Sequence, residues 1–166
     1  MFKANFLLES KIPSLKVDWY FHLVIFVIAS AIVISRRPDA LLNAQFYAED
    51  GTLWYADAYN QGAIRALFIP VVGYFQTFSR LIGALAQPLP LLWVPLFFNL
   101  VAITIQVLPV NLLISERFSK LSPNLQTRLV LAFLYLVLPN SAEPHANVTN
   151  CQWRLALLAW YLFTMS

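Results

Sequence analysis

From residue 19 to residue 35 the chain carries no charged side chain, and the same holds from residue 91 to residue 114. Uncharged runs of this length belong either in the core of a large soluble domain or in a bilayer. A soluble domain surrounds such runs with a charged surface, about 25% of its residues. Here only 11% of 166 residues are charged, and 60% are hydrophobic. The apolar excess is gathered into runs, as in bilayer spans of roughly 20 residues. Four spans are expected, over 19–35, 91–114, 127–139 and 153–166. Trp19 and Tyr20 open the first as interfacial anchors. The third is short for a crossing. The fourth is cut by the chain end: a helix over 153–166 rises about 21 Å, against a hydrocarbon core of about 30 Å. The chain is therefore expected to be the N-terminal piece of a longer protein. The expected fold class is all-α, a single membrane domain built as a multi-pass transmembrane helical bundle.

Lys3, Lys11 and Lys16 precede the first apolar run, as in a signal peptide, but no small-x-small cleavage site follows. The run ends at Ser35-Arg36-Arg37-Pro38 and reads as an uncleaved span. With the N-terminus inside, the inner segments hold Lys3, Lys11, Lys16, Arg117, Lys120 and Arg128. The outer ones hold Arg36, Arg37, Arg65, Arg80 and Arg154, a small bias in the expected direction. The N-terminus is expected in the cytoplasm of a cell (inner) membrane protein, with the loops bearing the site outside or periplasmic. No basic cluster beyond Arg36-Arg37 suggests a nucleic-acid partner. Cys151 is the single cysteine, so there is no intramolecular disulfide and no zinc motif.

Residues 36–77 form the first external loop. Four of the eight acidic residues lie here, Asp39, Glu49, Asp50 and Asp57, among many aromatics. This composition reads as juxtamembrane amphipathic helices, with aromatics at headgroup level. Pro38-Asp39 is expected to open one helix. Asp50-Gly51 is expected to turn the chain into a second helix near 52–60.

Three constellations could carry chemistry. In Tyr47-Ala48-Glu49-Asp50-Gly51, adjacent carboxylates suit a general base that takes a proton from an attacking hydroxyl. The plainer alternative makes Asp50 a helix cap. Arg80, beyond Gly73-Tyr74-Phe75, either snorkels to the headgroups or clamps a lipid phosphate with its guanidinium fork. The segment with Asn140, Glu143, His145, Asn147, Asn150, Gln152 and Trp153 is either a connecting loop or a sugar-binding patch. In the patch, amides bond hydroxyls and the indole covers an apolar sugar face. Asn147-Val148-Thr149 also matches a glycosylation sequon. His22, inside the first span, reads as a helix–helix hydrogen bonder.

One span, a long outer loop with an acidic pair, then further spans: this order resembles the N-terminal part of the GT-C superfamily of membrane glycosyltransferases. The string from Phe46 to Asp50, Gly73-Tyr74 with Arg80, and the stretch from His145 to Trp153 carry the likeness. The resemblance implies a hexosyltransferase-type enzyme that moves sugar from a polyprenyl-phosphate donor to a glycan, lipid or protein hydroxyl. It implies Asp50 as base with Glu49 assisting, the lipid phosphate near Arg80, and Tyr74, His145, Asn147, Asn150, Gln152 and Trp153 against substrate. A divalent metal, Mg or Mn, is compatible with this scheme but not required by it. Two other classes stay open, a multi-pass transporter or flippase and a non-catalytic membrane subunit or gene remnant. The transporter reading calls for polar residues at mid-depth, where only His22, Asn99 and Gln106 stand.

Overall fold

The computed structural model of the chain describes residues 17–139 and 143–164. The basic lead with Lys3, Lys11 and Lys16, and Asn140 of the polar patch, lie outside the described residues. The fold is all-helical among those described, and four helices form its frame.

Helix α1 runs Trp19–Arg36, opened by Asp18, whose side chain accepts from the Phe21 N–H at 2.9 Å. Four short helices follow: α2 (Asp39–Leu42), α3 (Ala56–Gln61), α4 (Ala63–Ala66) and α5 (Thr77–Leu85). A 3-10 turn over Leu91–Trp93 leads into α6 (Val94–Ile114). α7 spans Leu125–Val137 and α8 Cys151–Thr164.

α1 and the Leu91–Ile114 segment, 18 and 24 residues, are long and apolar enough to cross a membrane. α7 and α8 each begin two residues before the expected starts. Asn124 sets the start of α7 by accepting from the Gln126 N–H at 2.8 Å. Pro139 sets its end, since the residue before a proline is driven out of the helical region and Leu138 has ψ 125°.

α6 is the central helix, and α1, α7 and α8 each pack on it. α1 runs antiparallel to it. His22 Nδ1 meets Asn111 Oδ1 at 3.0 Å near one end, and Asn99 Nδ2 donates to the Ala40 carbonyl at 2.8 Å near the other. His22 is thus the interhelical hydrogen bonder its position suggests. α7 returns antiparallel, with Tyr135 Oη donating to the Gln106 carbonyl and Arg128 Nη1 to the Ile114 and Ser115 carbonyls. Arg128 thereby caps the end of α6, where the last carbonyls lack helical partners. α8 descends so that Tyr161 meets Phe118 edge-on at 5.6 Å.

This up-and-down order places residues 37–90 and 143–150 at one end of the bundle and 115–124 at the other. Arg36 ties the polar end together by donating to the Leu136 and Leu138 carbonyls.

The expected turn at Asp50-Gly51 is corrected by the structure. These residues begin a π-helical turn, Asp50–Tyr55, that runs directly into α3. Gly51 serves packing: a Cβ there would lie 2.8 Å from the Phe46 ring.

Candidate functional site

Asp50 is fully buried, and its carboxylate is spent on the loop that precedes α8. Oδ2 accepts from the Val148 N–H at 3.1 Å, and Oδ1 accepts from the Thr149 N–H and Thr149 Oγ1, each at 2.8 Å. The Thr149 hydroxyl in turn accepts from Trp54 Nε1 at 2.9 Å. Trp54 follows Asp50 by one turn of the same helix. Ser79 of α5 donates to the Val148 carbonyl at 3.3 Å. The acidic motif and α5 therefore both fasten the loop from residue 143, the first through the Asp50 carboxylate and the second through Ser79 on the Val148 carbonyl.

Asp50 makes no bond to its own helix's N–H groups, so the capping alternative is not the geometry found. Burial pushes its carboxyl above the usual range. The Thr149 hydroxyl and the two backbone N–H groups pull it down, and neighbouring Glu49 adds a smaller upward push. Glu49 itself is half-buried, with no hydrogen-bond partner among the described residues.

The two joined segments each hold a strained residue just before the contact. Ala48 (φ 41°) precedes the acidic pair, and Ala146 (φ 52°) precedes Asn147-Val148-Thr149. Non-glycine residues in this region are uncommon, and such strain concentrates where surrounding structure fixes a functional geometry.

Arg80 is fully buried and does not snorkel. Nη1 donates to Asp57 Oδ2 at 3.1 Å, and the guanidinium lies 5.4 Å from the Trp54 ring centroid, a cation–π contact. Nε and Nη2 have no partner among the described residues. Two donors are thus unspent, yet in this conformation no surface is open through which a lipid phosphate reaches them. Tyr74 stands apart, half-exposed at a tight turn ahead of α5.

The polar patch divides in two. His145 and Asn147 are buried and turned inward. His145 Nε2 meets the Val33 carbonyl at 3.0 Å and Nδ1 meets Gln106 Nε2 at 3.2 Å, while Gln106 Oε1 accepts from the Ala146 N–H. Asn147 bonds the Glu143 carbonyl through Nδ2 and the Asn150 N–H through Oδ1. Both side chains, expected against substrate, instead hold the loop, and the sequon asparagine is inaccessible. Asn99 and Gln106 likewise bond fixed backbone partners, the Ala40 carbonyl and the Ala146 N–H.

Trp153 faces outward and lines, with Glu143, Pro144, Asn150 and Arg154, a cleft of about 250 Å³; Asn150 Nδ2 is spent within the loop on the Glu143 carbonyl at 3.2 Å and Asn147 Oδ1 at 3.1 Å. Gln152, between them, is half-buried. Arg154 lies over the Tyr135 ring at 5.4 Å. Reading the sequence alone missed Trp54, Thr149 and Arg154. Arg154 sits inside an apolar run and was counted only as a topological charge. The visible signal for Trp54 was its spacing of four from Asp50, which places both on one helix face. Among the described residues no group of three or more His, Cys, Asp or Glu side chains converges as a metal site.

The inward histidine has a pH consequence. Burial, the largest cause, lowers the His145 pKa below 6.5; the Val33 carbonyl raises it, and Arg36, Arg37 and Arg154 lower it further. The unfolded chain therefore takes up a proton below about pH 6.5 that the fold resists. Stability is full above that pH and falls as pH drops through it. Thermal unfolding in detergent from about pH 7.5 to about pH 5 is expected to show a loss that is smaller in His145→Gln.

Comparison of the chain with family models, with curated proteins and with solved structures finds no match.

Proposed function

We propose that this chain is a multi-pass membrane bundle with the function of a glycosyltransferase, which moves a sugar from a polyprenyl-phosphate donor to a hydroxyl of a glycan, lipid or protein acceptor. The observation that supports it best is the Asp50 clamp. It brings the acidic pair, the Trp54–Arg80 contact and the 143–150 loop to one end of the bundle, beside a cleft lined by Glu143, Asn150, Trp153 and Arg154. A carboxylate, the amide oxygen of Asn150, an exposed indole and a guanidinium are groups that hold sugar hydroxyls and cover an apolar sugar face.

The geometry favours an exchange of roles within the acidic pair. Asp50, its oxygens occupied, is a positioning residue. Glu49, with free oxygens, is the base. In the reaction the acceptor oxygen bonds to the anomeric carbon while the bond from that carbon to the phosphate oxygen breaks. The hydroxyl proton goes to Glu49, and polyprenyl phosphate leaves as an anion, so no separate acid is needed. No metal is assigned a step.

Glu49→Gln tests this reading. In membranes holding the full-length protein and supplied with a panel of radiolabelled polyprenyl-phosphate hexoses and pentoses, transfer is expected to fall about 10²–10⁴-fold, with unfolding unchanged. Full activity in this variant contradicts the assignment.

A further inference from the structure

Between α4 and α5 the chain makes a tight turn whose composition is wrong for water. Val71 and Tyr74 exchange backbone hydrogen bonds, Val71 N–H to Tyr74 carbonyl at 3.0 Å and Tyr74 N–H to Val71 carbonyl at 3.2 Å. The two residues between them, Val72 and Gly73, have φ of 52° and 84°. Positive φ at both central positions marks the mirror-image turn that normally takes Asn-Gly or Asp-Gly, because short polar side chains tolerate the left-handed region. A β-branched residue there is an outlier. Val72 is nonetheless 88% exposed, and an added Cβ on Gly73 would meet nothing within 4 Å, so the tip projects into open space. Phe68 is 70% exposed and Phe75 59%. From Ala66 to Ser79 no residue is charged, and the flank toward α4 carries the exposed Arg65.

We propose that this turn dips into the bilayer interface, with Val72, Phe68 and Phe75 below the headgroups and Arg65 among the lipid phosphates. The occupant is lipid rather than protein on three grounds. An apolar side chain held in a strained tip gains from transfer to an apolar phase in any direction, and needs no shaped partner. Aromatic residues beside an uncharged tip and a basic flank match the layering of a bilayer interface. The turn also belongs to the layer that surrounds the start of α6, so lipid stands at its level if α6 crosses the membrane. The inference rests on that membrane reading and is independent of sugar transfer.

The test places a polarity-sensitive fluorophore on Val72→Cys or Phe75→Cys, each in a Cys151→Ala background. The full chain is reconstituted in phosphatidylcholine–phosphatidylglycerol nanodiscs with and without lipid doxyl-labelled near the headgroup, for the probes at 72, 75 and 61, or at mid-acyl depth, for the probe at 27. A probe on Gln61→Cys, in the exposed end of α3, marks the aqueous level. A probe on Val27→Cys, on the exposed face of α1, reports the membrane reading separately. The expected result is blue-shifted emission and at least twofold doxyl quenching at positions 72, 75 and 27, and neither at 61. Quenching at 27 but not at 72 and 75, with those probes open to aqueous iodide or shielded from both quenchers, overturns the inference alone. No quenching at 27 overturns the membrane reading with it.

Discussion

Asp50→Ala is expected to destabilise the fold by about 3–5 kcal/mol. The substitution leaves the Val148 N–H, the Thr149 N–H and the Thr149 hydroxyl without their acceptor. Each buried donor left unpaired costs about 1–3 kcal/mol. Asp50→Asn is milder, about 1–3 kcal/mol, because one amide oxygen still receives both Thr149 donors while the amide nitrogen opposes the Val148 N–H. Thermal unfolding in detergent checks both values. Glu49→Gln, at a residue with no hydrogen bond to lose among the described residues, should change stability by less than about 0.5 kcal/mol. On the proposed reading sugar transfer is expected to fall in both variants, in Asp50→Ala together with stability and in Glu49→Gln without it. An Asp50→Ala protein as stable as the parent would mean that the loop from residue 143 is held by something other than this carboxylate.

Gly83→Ala should cost about 3 kcal/mol, the upper end for overpacking a well-fitted contact. A Cβ on Gly83 of α5 would stand 2.2 Å from the Trp54 carbonyl oxygen and 2.7 Å from its carbonyl carbon. The neighbour is backbone, which cannot rotate aside, so α5 must move away from the π-helical turn. The displacement reaches the site directly, because Trp54 holds Thr149 by its indole N–H and faces Arg80 with its ring. The variant should therefore lose sugar transfer more steeply than stability alone explains. Gly62, with no atom within 4 Å of an added Cβ, cannot serve as a like-for-like control, because its φ of 91° strains any L-residue there. A better control is Leu85→Ala on the exposed face of the same helix, expected to be near neutral.

The helical frame could be read from the chain because charge-free runs leave few alternatives, and several boundaries have a local cause. Asp18 and Asn124 cap, Pro139 stops, and Arg128 closes the end of α6. The three chemical constellations could also be read as composition. Their meeting could not, because it depends on one carboxylate finding a backbone segment 98 and 99 residues away. Asp50-Gly51 misled for a different reason: the dipeptide is a turn signal, whereas the glycine stands against the Phe46 ring five residues before it. Arg80 beside an apolar stretch suggests an exposed, snorkelling side chain. It is buried because Asp57 and Trp54, on the preceding helical segments, fold over it. Within 143–153, sequence shows polar residues but not direction. The strained backbone at Ala146 turns His145 and Asn147 inward and leaves Asn150 and Trp153 on the cleft.

The most direct measurement is the sidedness of the two ends of the bundle. Cys151 is buried, its thiol donating to the Asn147 carbonyl at 3.4 Å, so the native thiol is a poor reporter. In a Cys151→Ala background, single cysteines at the exposed positions Gln61, Pro139 and Thr127 report instead. Intact cells are treated with a membrane-impermeant maleimide, then lysed and treated again. The expected result is labelling of Gln61→Cys and Pro139→Cys from outside, and of Thr127→Cys only after lysis. That outcome places the acidic motif and the loop joined by Asp50 on the outer face of a membrane-crossing bundle. Labelling of all three from one side, or of Gln61→Cys and Pro139→Cys from opposite sides, contradicts it.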